Sequence, residues 1–287
     1  MNILLLLPSL IIIILTFFIP IFRYTWLSFH SSSVITRLNE IPNNGANWFR
    51  LFEDNRFWQD AFQTIRFSSI SVGLELVLGI VIAIVLNKEL KNRGLIRTLS
   101  LLPWALPTTV MALGWRWIFN SPYGFIERFL IYFTKDPINI LGEPSITWLA
   151  TVVGDVWKTT PFIALILLAG MQSIPYNLYE AFDLEGGKPF KALFKITLPL
   201  IEPYLIISIL FRTAQAFGVF DLIQVMTGGG PAGSTESLGV YAYLNAMRFL
   251  DFGYSSTIMI ATFIILIIYS ITITLALKYL IKTLSLI

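Results

Sequence analysis

The chain has 287 residues, of which 56% are hydrophobic and only 13% charged, whereas about one quarter of a soluble domain is charged. It has no cysteine and one histidine, His30, which excludes disulfides, thiolate metal sites and cysteine nucleophiles and disfavours a histidine metal centre or a Ser-His-Asp triad. The net charge of +3 is not gathered into a basic stripe, which speaks against nucleic-acid binding.

Apolar runs of about 20 residues fit a hydrocarbon core about 30 Å thick. Six are read in chain order: Ile3–Phe22, Phe67–Leu86, Leu99–Phe119, Ile146–Ala169, Leu200–Phe220 and Ser255–Leu277. An all-α membrane protein with six transmembrane helices is therefore expected, as a single domain over residues 1–287 with no internal repeat. No Lys or Arg precedes the first run and no small-x-small cleavage site follows it, so it reads as a retained helix. The connection 30–66 is polar and holds Trp48, Phe49, Phe52, Phe57 and Trp58, which suggests short interfacial helices and an aromatic belt. Glu75 in the second run reads as structural. Trp115, Arg116 and Trp117 near the end of the third read as an interfacial anchor. Pro8, Pro20, Pro103, Pro107 and Pro161 lie in or near the runs, where breaks are tolerated if neighbours satisfy the freed backbone.

In the fourth run Asp155 and Lys158 are three apart and share a helix face; in the fifth, Arg212 and Gln215 do the same, with Val219 one turn on. The two runs point in opposite directions, so these groups can meet at one depth. The residues leave two readings open: a buried Asp155–Arg212 or Asp155–Lys158 pair that braces the helices, or a polar lining for a ligand.

The connection 173–199 is more structured. Pro175 suits the start of a short helix from Tyr176 to about Glu185, and Gly186-Gly187 suits its end. Lys188–Phe194 reads as a second amphipathic piece, and Pro199 marks the return to the membrane. Such an elbow can dock into a groove on a partner or lie on lipid; the residues do not choose. The connection 221–254 opens with a compact turn at Gly228-Gly229-Gly230-Pro231.

Positive charge orients the chain. Lys88, Lys91, Arg93 and Arg97 face one acid, Glu89; Lys278 and Lys282 lie near the carboxyl end; Lys188, Lys191 and Lys195 sit in the elbow. The connections 30–66 and 221–254 are then outer ones. The second connection, the elbow and the carboxyl end are cytoplasmic by this bias, and six spans place the amino end there too.

Glu180-Ala181, then Gly186, then Ile196-x-Leu198-Pro199, with three residues between Phe182 and Gly186 and nine between Gly186 and Ile196, resembles the "EAA" signature of permease subunits in binding-protein-dependent ABC importers. Phe182 stands where a third Ala is common, and Glu185 where Asp is usual. The block Phe220–Pro231, followed by Ser234-Thr235 and Tyr241-x-Tyr243, and Trp157-Lys158 with Pro161-Phe162, resemble carbohydrate-class permeases, of the shorter glycerol-phosphate or lactose form. The resemblance implies a type I ABC importer permease fold in a bacterial or archaeal plasma membrane. It implies that the elbow is a coupling segment touching an ATPase subunit through Glu180, Ala181, Phe182, Glu185 and Gly186. It implies a sugar-like solute path near Asp155, Lys158, Thr159, Phe162, Arg212, Gln215, Ala216 and Val219. It further implies a second, related permease as heterodimer partner, two ATP-binding cassette subunits that bind ATP and Mg, and an extracytoplasmic solute-binding protein.

No phosphate loop accompanies these motifs: Gly186-Gly187-Lys188-Pro189 lacks both the spacing and the Ser/Thr. The chain is thus expected to have no cofactor and no ATPase site of its own. The rival reading is a secondary transporter driven by an ion gradient, a class that usually shows internal repeats and discontinuous helices.

Overall fold

The computed structural model describes residues 7–88, 91–135 and 139–286 and is mostly helical. The start of the first expected span and Glu89 lie outside the described residues. Four described helices are long and apolar enough to cross a membrane: Leu7–Ser28, Asn55–Asn87, Pro144–Gln172 and Phe252–Leu284. A bent pair, Pro189–Leu200 and Glu202–Phe217 at 71°, makes a possible fifth. Burial separates them. None of the most apolar stretch of Leu7–Ser28 is buried, against 61% of that of Pro144–Gln172. An apolar helix with no covered face is compatible with lipid as its solvent.

The chain forms two compact units. The first comprises residues 1–64 and 236–265. After Leu7–Ser28 a short antiparallel pair joins His30–Ser31 to Ile41–Pro42, and the helix Ala46–Glu53 follows. Asn47 Nδ2 reaches the carbonyls of Ser28 (3.3 Å) and His30 (3.1 Å). The expected loop 30–66 is shorter than the sequence suggests, because the next helix starts at Asn55 rather than at Phe67. Asp54 starts it by accepting the backbone N–H of Arg56 (2.9 Å) and Phe57 (3.3 Å). Gln59, Asp60, Gln63 and Arg66 make this opening stretch polar, which hid it from an apolar-run criterion.

Asp54 also accepts the hydroxyls of Tyr241 (2.5 Å) and Tyr254. Burial alone would raise its carboxyl, but these four bonds hold it below the usual aspartate range. The Tyr241 hydroxyl is pushed up to about 12, by burial and then by Asp54. Arg56 makes a bidentate contact with Glu236, and Leu51, Phe57, Ala61, Leu238, Tyr254 and Ile258 pack as the core of this unit.

The second unit comprises residues 65–235 and 266–287. Its core joins Val72, Ala83 and Leu86 to Ile163 and Leu167 and to Leu205 and Ile209. Gly79 permits close helix approach: a Cβ there would lie 2.6 Å from Ile163 Cγ2. The third expected span, Leu99–Phe119, is not one helix. It is broken into Arg93–Ser100, Leu102–Ala105 and Thr108–Phe119. Pro107 supplies the reason, since the residue before proline is pushed out of the helical region and Leu106 is extended at ψ 137°. The fifth expected span is likewise preceded by a bend, after a π-turn at Leu193–Thr197.

Candidate functional site

Within the second unit, segments of three helices bring charged side chains together. Ser71 and Glu75 lie one turn apart on Asn55–Asn87; Asp155 and Thr159 do so on Pro144–Gln172; Arg212 and Gln215 share a face of Glu202–Phe217. Arg212 is the hub. Its Nε and Nη2 donate to Glu75 Oε2 (2.5 Å) and Oε1 (2.7 Å). Nη2 also donates to Asp155 Oδ2 (2.9 Å), and Nη1 to Gln215 Oε1 (3.1 Å). Glu75 is 0% and Arg212 2% exposed. Charges so deeply buried persist only when paired and hydrogen-bonded.

Hydroxyls complete the shell. Thr159 Oγ1 lies 2.7 Å from Glu75 Oε1 and 2.6 Å from the Asp155 carbonyl, and its one proton serves one of them at a time. Ser71 Oγ lies 2.8 Å from Glu75 Oε1 and 2.5 Å from Asp155 Oδ2, and its single proton serves one carboxylate at a time. Lys158 does not pair with Asp155; its Nζ donates to the carbonyl of Leu106 at 2.6 Å. That carbonyl stands at the break before Pro107, so Lys158 satisfies irregular backbone that lipid could not.

The cluster backs a cavity of about 340 Å³. Of the residues expected along a solute path, Asp155, Lys158, Thr159, Arg212, Gln215 and Val219 line it. Phe162 instead stacks on Trp104, with ring centroids 5.6 Å apart, and Ala216 is buried in the apolar core. Trp104, Thr108 and Asp221 also line the cavity and were not foreseen. Trp104 and Thr108 reach it from either side of the break in the third run. Glu75, read from sequence as structural, is the main partner of Arg212 and is fully covered. Trp115 packs against Phe119 and Trp157, while Trp117 is exposed.

The elbow is built differently. Its first helix is Asn177–Leu184, with Glu185 following as its cap. Gly186 adopts φ +81°, a left-handed conformation that favours glycine. Gly187 has no room for a side chain, because a Cβ would lie 2.2 Å from the Phe182 ring. Glu180, Ala181, Glu185 and Gly186 are exposed and Phe182 is half-buried. Leu184 is 90% and Phe190 73% exposed. Behind this surface the Tyr179 hydroxyl meets Thr197 Oγ1 at 2.9 Å and ties the first helix of the elbow to the π-turn.

The helical fold combines apolar spans, a buried polar cluster beside a cavity and an exposed elbow. Residues 75–285 match the family of binding-protein-dependent transport system inner membrane components, and the chain belongs to that family. It is 40% identical over 269 residues to a trehalose/maltose transport system permease protein of Thermococcus litoralis, covering 93% of this chain and 90% of the relative. It is 34% identical over 263 residues to a sulfoquinovosyl glycerol transport system permease protein of Agrobacterium fabrum, covering 92% and 85%. In fold it is similar to a chain of a bacterial ABC transporter that imports the acidic polysaccharide alginate: TM-score 0.77, 20% identity, 97% of this chain and 94% of that one covered. The fold is that of a type I ABC importer permease.

Proposed function

We propose that the protein carries a sugar or sugar-like solute through the plasma membrane of a bacterium or archaeon, as one permease of an ATP-driven importer. The observation that carries this reading is the cavity lined by Asp155, Lys158, Thr159, Arg212 and Gln215. Polar groups at membrane depth are costly and mark solute paths, and these alternate donors with acceptors as hydroxylated ligands require. The names of the relatives support a sugar-like ligand.

In this reading the whole chain acts as one permease domain with six crossings and both ends in the cytoplasm. The broken run Arg93–Phe119 makes the third crossing and the bent pair 189–217 the fifth. Glu180, Ala181, Phe182, Glu185 and Gly186 meet an ATPase subunit, whose partner and ATP with Mg complete the motor. A second, related permease forms the other half of the path. An extracytoplasmic binding protein delivers the solute, as a periplasmic protein is present in one structural neighbour, the alginate transporter (TM-score 0.78, 19% identity). ATP and the loaded binding protein favour the same outward-open state, which is what couples them.

The test is uptake of labelled trehalose or maltose into proteoliposomes that hold the full assembly and loaded binding protein. Uptake that needs ATP and is indifferent to ion gradients is expected. Uptake that persists without ATP and collapses with the gradient would establish the secondary-transporter reading instead.

A further inference from the structure

An arginine beside a solute cavity normally favours anionic ligands, because its planar fork matches a carboxylate, sulfonate or phosphate with two parallel bonds. Here both edges of that fork are taken. The Nε–Nη2 edge holds Glu75 through bonds of 2.5 and 2.7 Å. The Nη1–Nη2 edge is divided between Gln215 (3.1 Å) and Asp155 (2.9 Å). Four of the five N–H donors of the guanidinium are thus accounted for by this chain.

Charge points the same way. Asp155, Lys158, Arg212 and Asp221 line the cavity, and Glu75 lies directly behind it. Three carboxylates therefore stand against two cations, and Lys158 is already bonded to the Leu106 carbonyl. An anionic solute would enter a site whose fixed charge is formally −1 and whose guanidinium is occupied. An uncharged hydroxyl meets something better. Gln215 gives its Oε1 to Arg212, which leaves its NH₂ as a donor; both bonds that Asp155 makes among the described residues fall on Oδ2, which leaves Oδ1 as an acceptor. A hydroxyl uses one of each.

We propose that Glu75 determines solute charge specificity: by engaging Arg212 it removes the cation from the cavity's chemistry, so that the cavity takes uncharged polyhydroxylated solutes and rejects anionic ones of the same size. The inference rests on reading this cavity as the solute path. Glu75 is a positioning residue in this role, acting on the solute through Arg212.

The experiment is equilibrium binding to the membrane assembly of permeases and ATPase subunits in nanodiscs, without the binding protein. The probes are uncharged disaccharides (maltose, trehalose) and their carboxylate counterparts, such as maltobionate. Wild type is expected to bind the uncharged probe at least about tenfold more tightly. Glu75→Gln, which removes the opposing charge and leaves one acceptor oxygen where two held the guanidinium, should move that ratio toward the acid by about tenfold or more, and Glu75→Asp should restore it. Asp155→Asn leaves the Glu75–Arg212 contact in place and should move the ratio by much less than about tenfold; a full shift of about tenfold in Asp155→Asn alone would overturn the proposal even if Glu75→Gln does not assemble. Equal affinity for both probes in wild type would overturn the proposal, as would a ratio unmoved by Glu75→Gln. If no disaccharide of either kind binds wild type, the solute-path reading falls and the proposal with it; if sugars bind and only the ratio fails to move, the path stands and the role of Glu75 does not.

Discussion

The elbow and the buried cluster are both functional candidates of the second unit, and they are opposites in construction. At the elbow Leu184 and Phe190 are 90% and 73% exposed, and the shape comes from backbone conformation at Gly186 and from the lack of a Cβ at Gly187. In the cluster Glu75 and Arg212 are almost wholly covered, and the shape comes from side chains on three helices that satisfy one another. An exposed apolar surface is incomplete until a partner covers it. A buried charge network is complete already, and its members cannot be removed singly without leaving a charge behind. The elbow should therefore tolerate substitution in folding and fail in coupling, whereas the cluster should fail first in folding.

The largest effect should separate the two. Arg212→Met leaves two carboxylates without their cation and is expected to cost about 3–5 kcal/mol. It should lower both membrane yield and thermal stability of the assembly. Adding Glu75→Gln should recover part of the loss, because it removes one of the orphaned charges. A single variant as stable as wild type would break the contrast.

Gly186→Pro tests the other side. Proline holds φ near −65° and cannot adopt the +81° found there, so the turn that presents Glu180 and Ala181 must change. Assembly and thermal stability should stay near those of wild type. Stimulation of the ATPase by the loaded binding protein should fall toward the basal rate. Normal stimulation in reconstituted vesicles would show that the elbow's shape is not what transmits the motion.

The two regions also differ in how far the sequence discloses them. The elbow was legible because its signals are local: Pro175, Gly186 and Gly187 lie within a few residues of the helix they delimit. The cluster was half legible. Helical spacing put Asp155 and Lys158 on one face and Arg212 and Gln215 on another, and the Asp155–Arg212 bracing pair is present. The partner that matters most, Glu75, is 137 residues from Arg212, and no periodicity reports which of two distant helices will touch. Lys158 likewise went to the Leu106 carbonyl, which became available only because the third run breaks. The early start of the helix at Asn55 was missed because tertiary partners, not apolarity, hold that polar segment.

Tyr179→Phe sharpens the contrast within the elbow. It deletes the hydroxyl that meets Thr197 and should cost about 1 kcal/mol in stability. If the elbow moves as a unit with the π-turn, ATPase stimulation should fall by a larger factor than stability does. Parallel small losses would reduce Tyr179 to a packing residue.

An effect of similar small size comes from Asp54, a half-buried carboxylate of the first unit that is held by neutral hydroxyls and N–H groups rather than by a cation. Its folded pKa is lowered, so its contribution is full above the unfolded aspartate value of about 3.9 and is lost as pH falls through the lower folded one. Asp54→Asn keeps one acceptor oxygen, enough for the two hydroxyls or for the two N–H groups but not for both, and loses the charge; about 1 kcal/mol is expected from that change near neutrality. Thermal unfolding of the assembly between pH 7 and pH 3 should show a constant gap between wild type and variant down to about pH 5 that closes on further acidification. A gap that widens with acid would mean that the carboxylate is destabilised where it sits, contrary to the four bonds it accepts. The comparison with Arg212 is then quantitative: a carboxylate near water that hydrogen bonds alone can hold, against carboxylates at membrane depth that need an opposite charge.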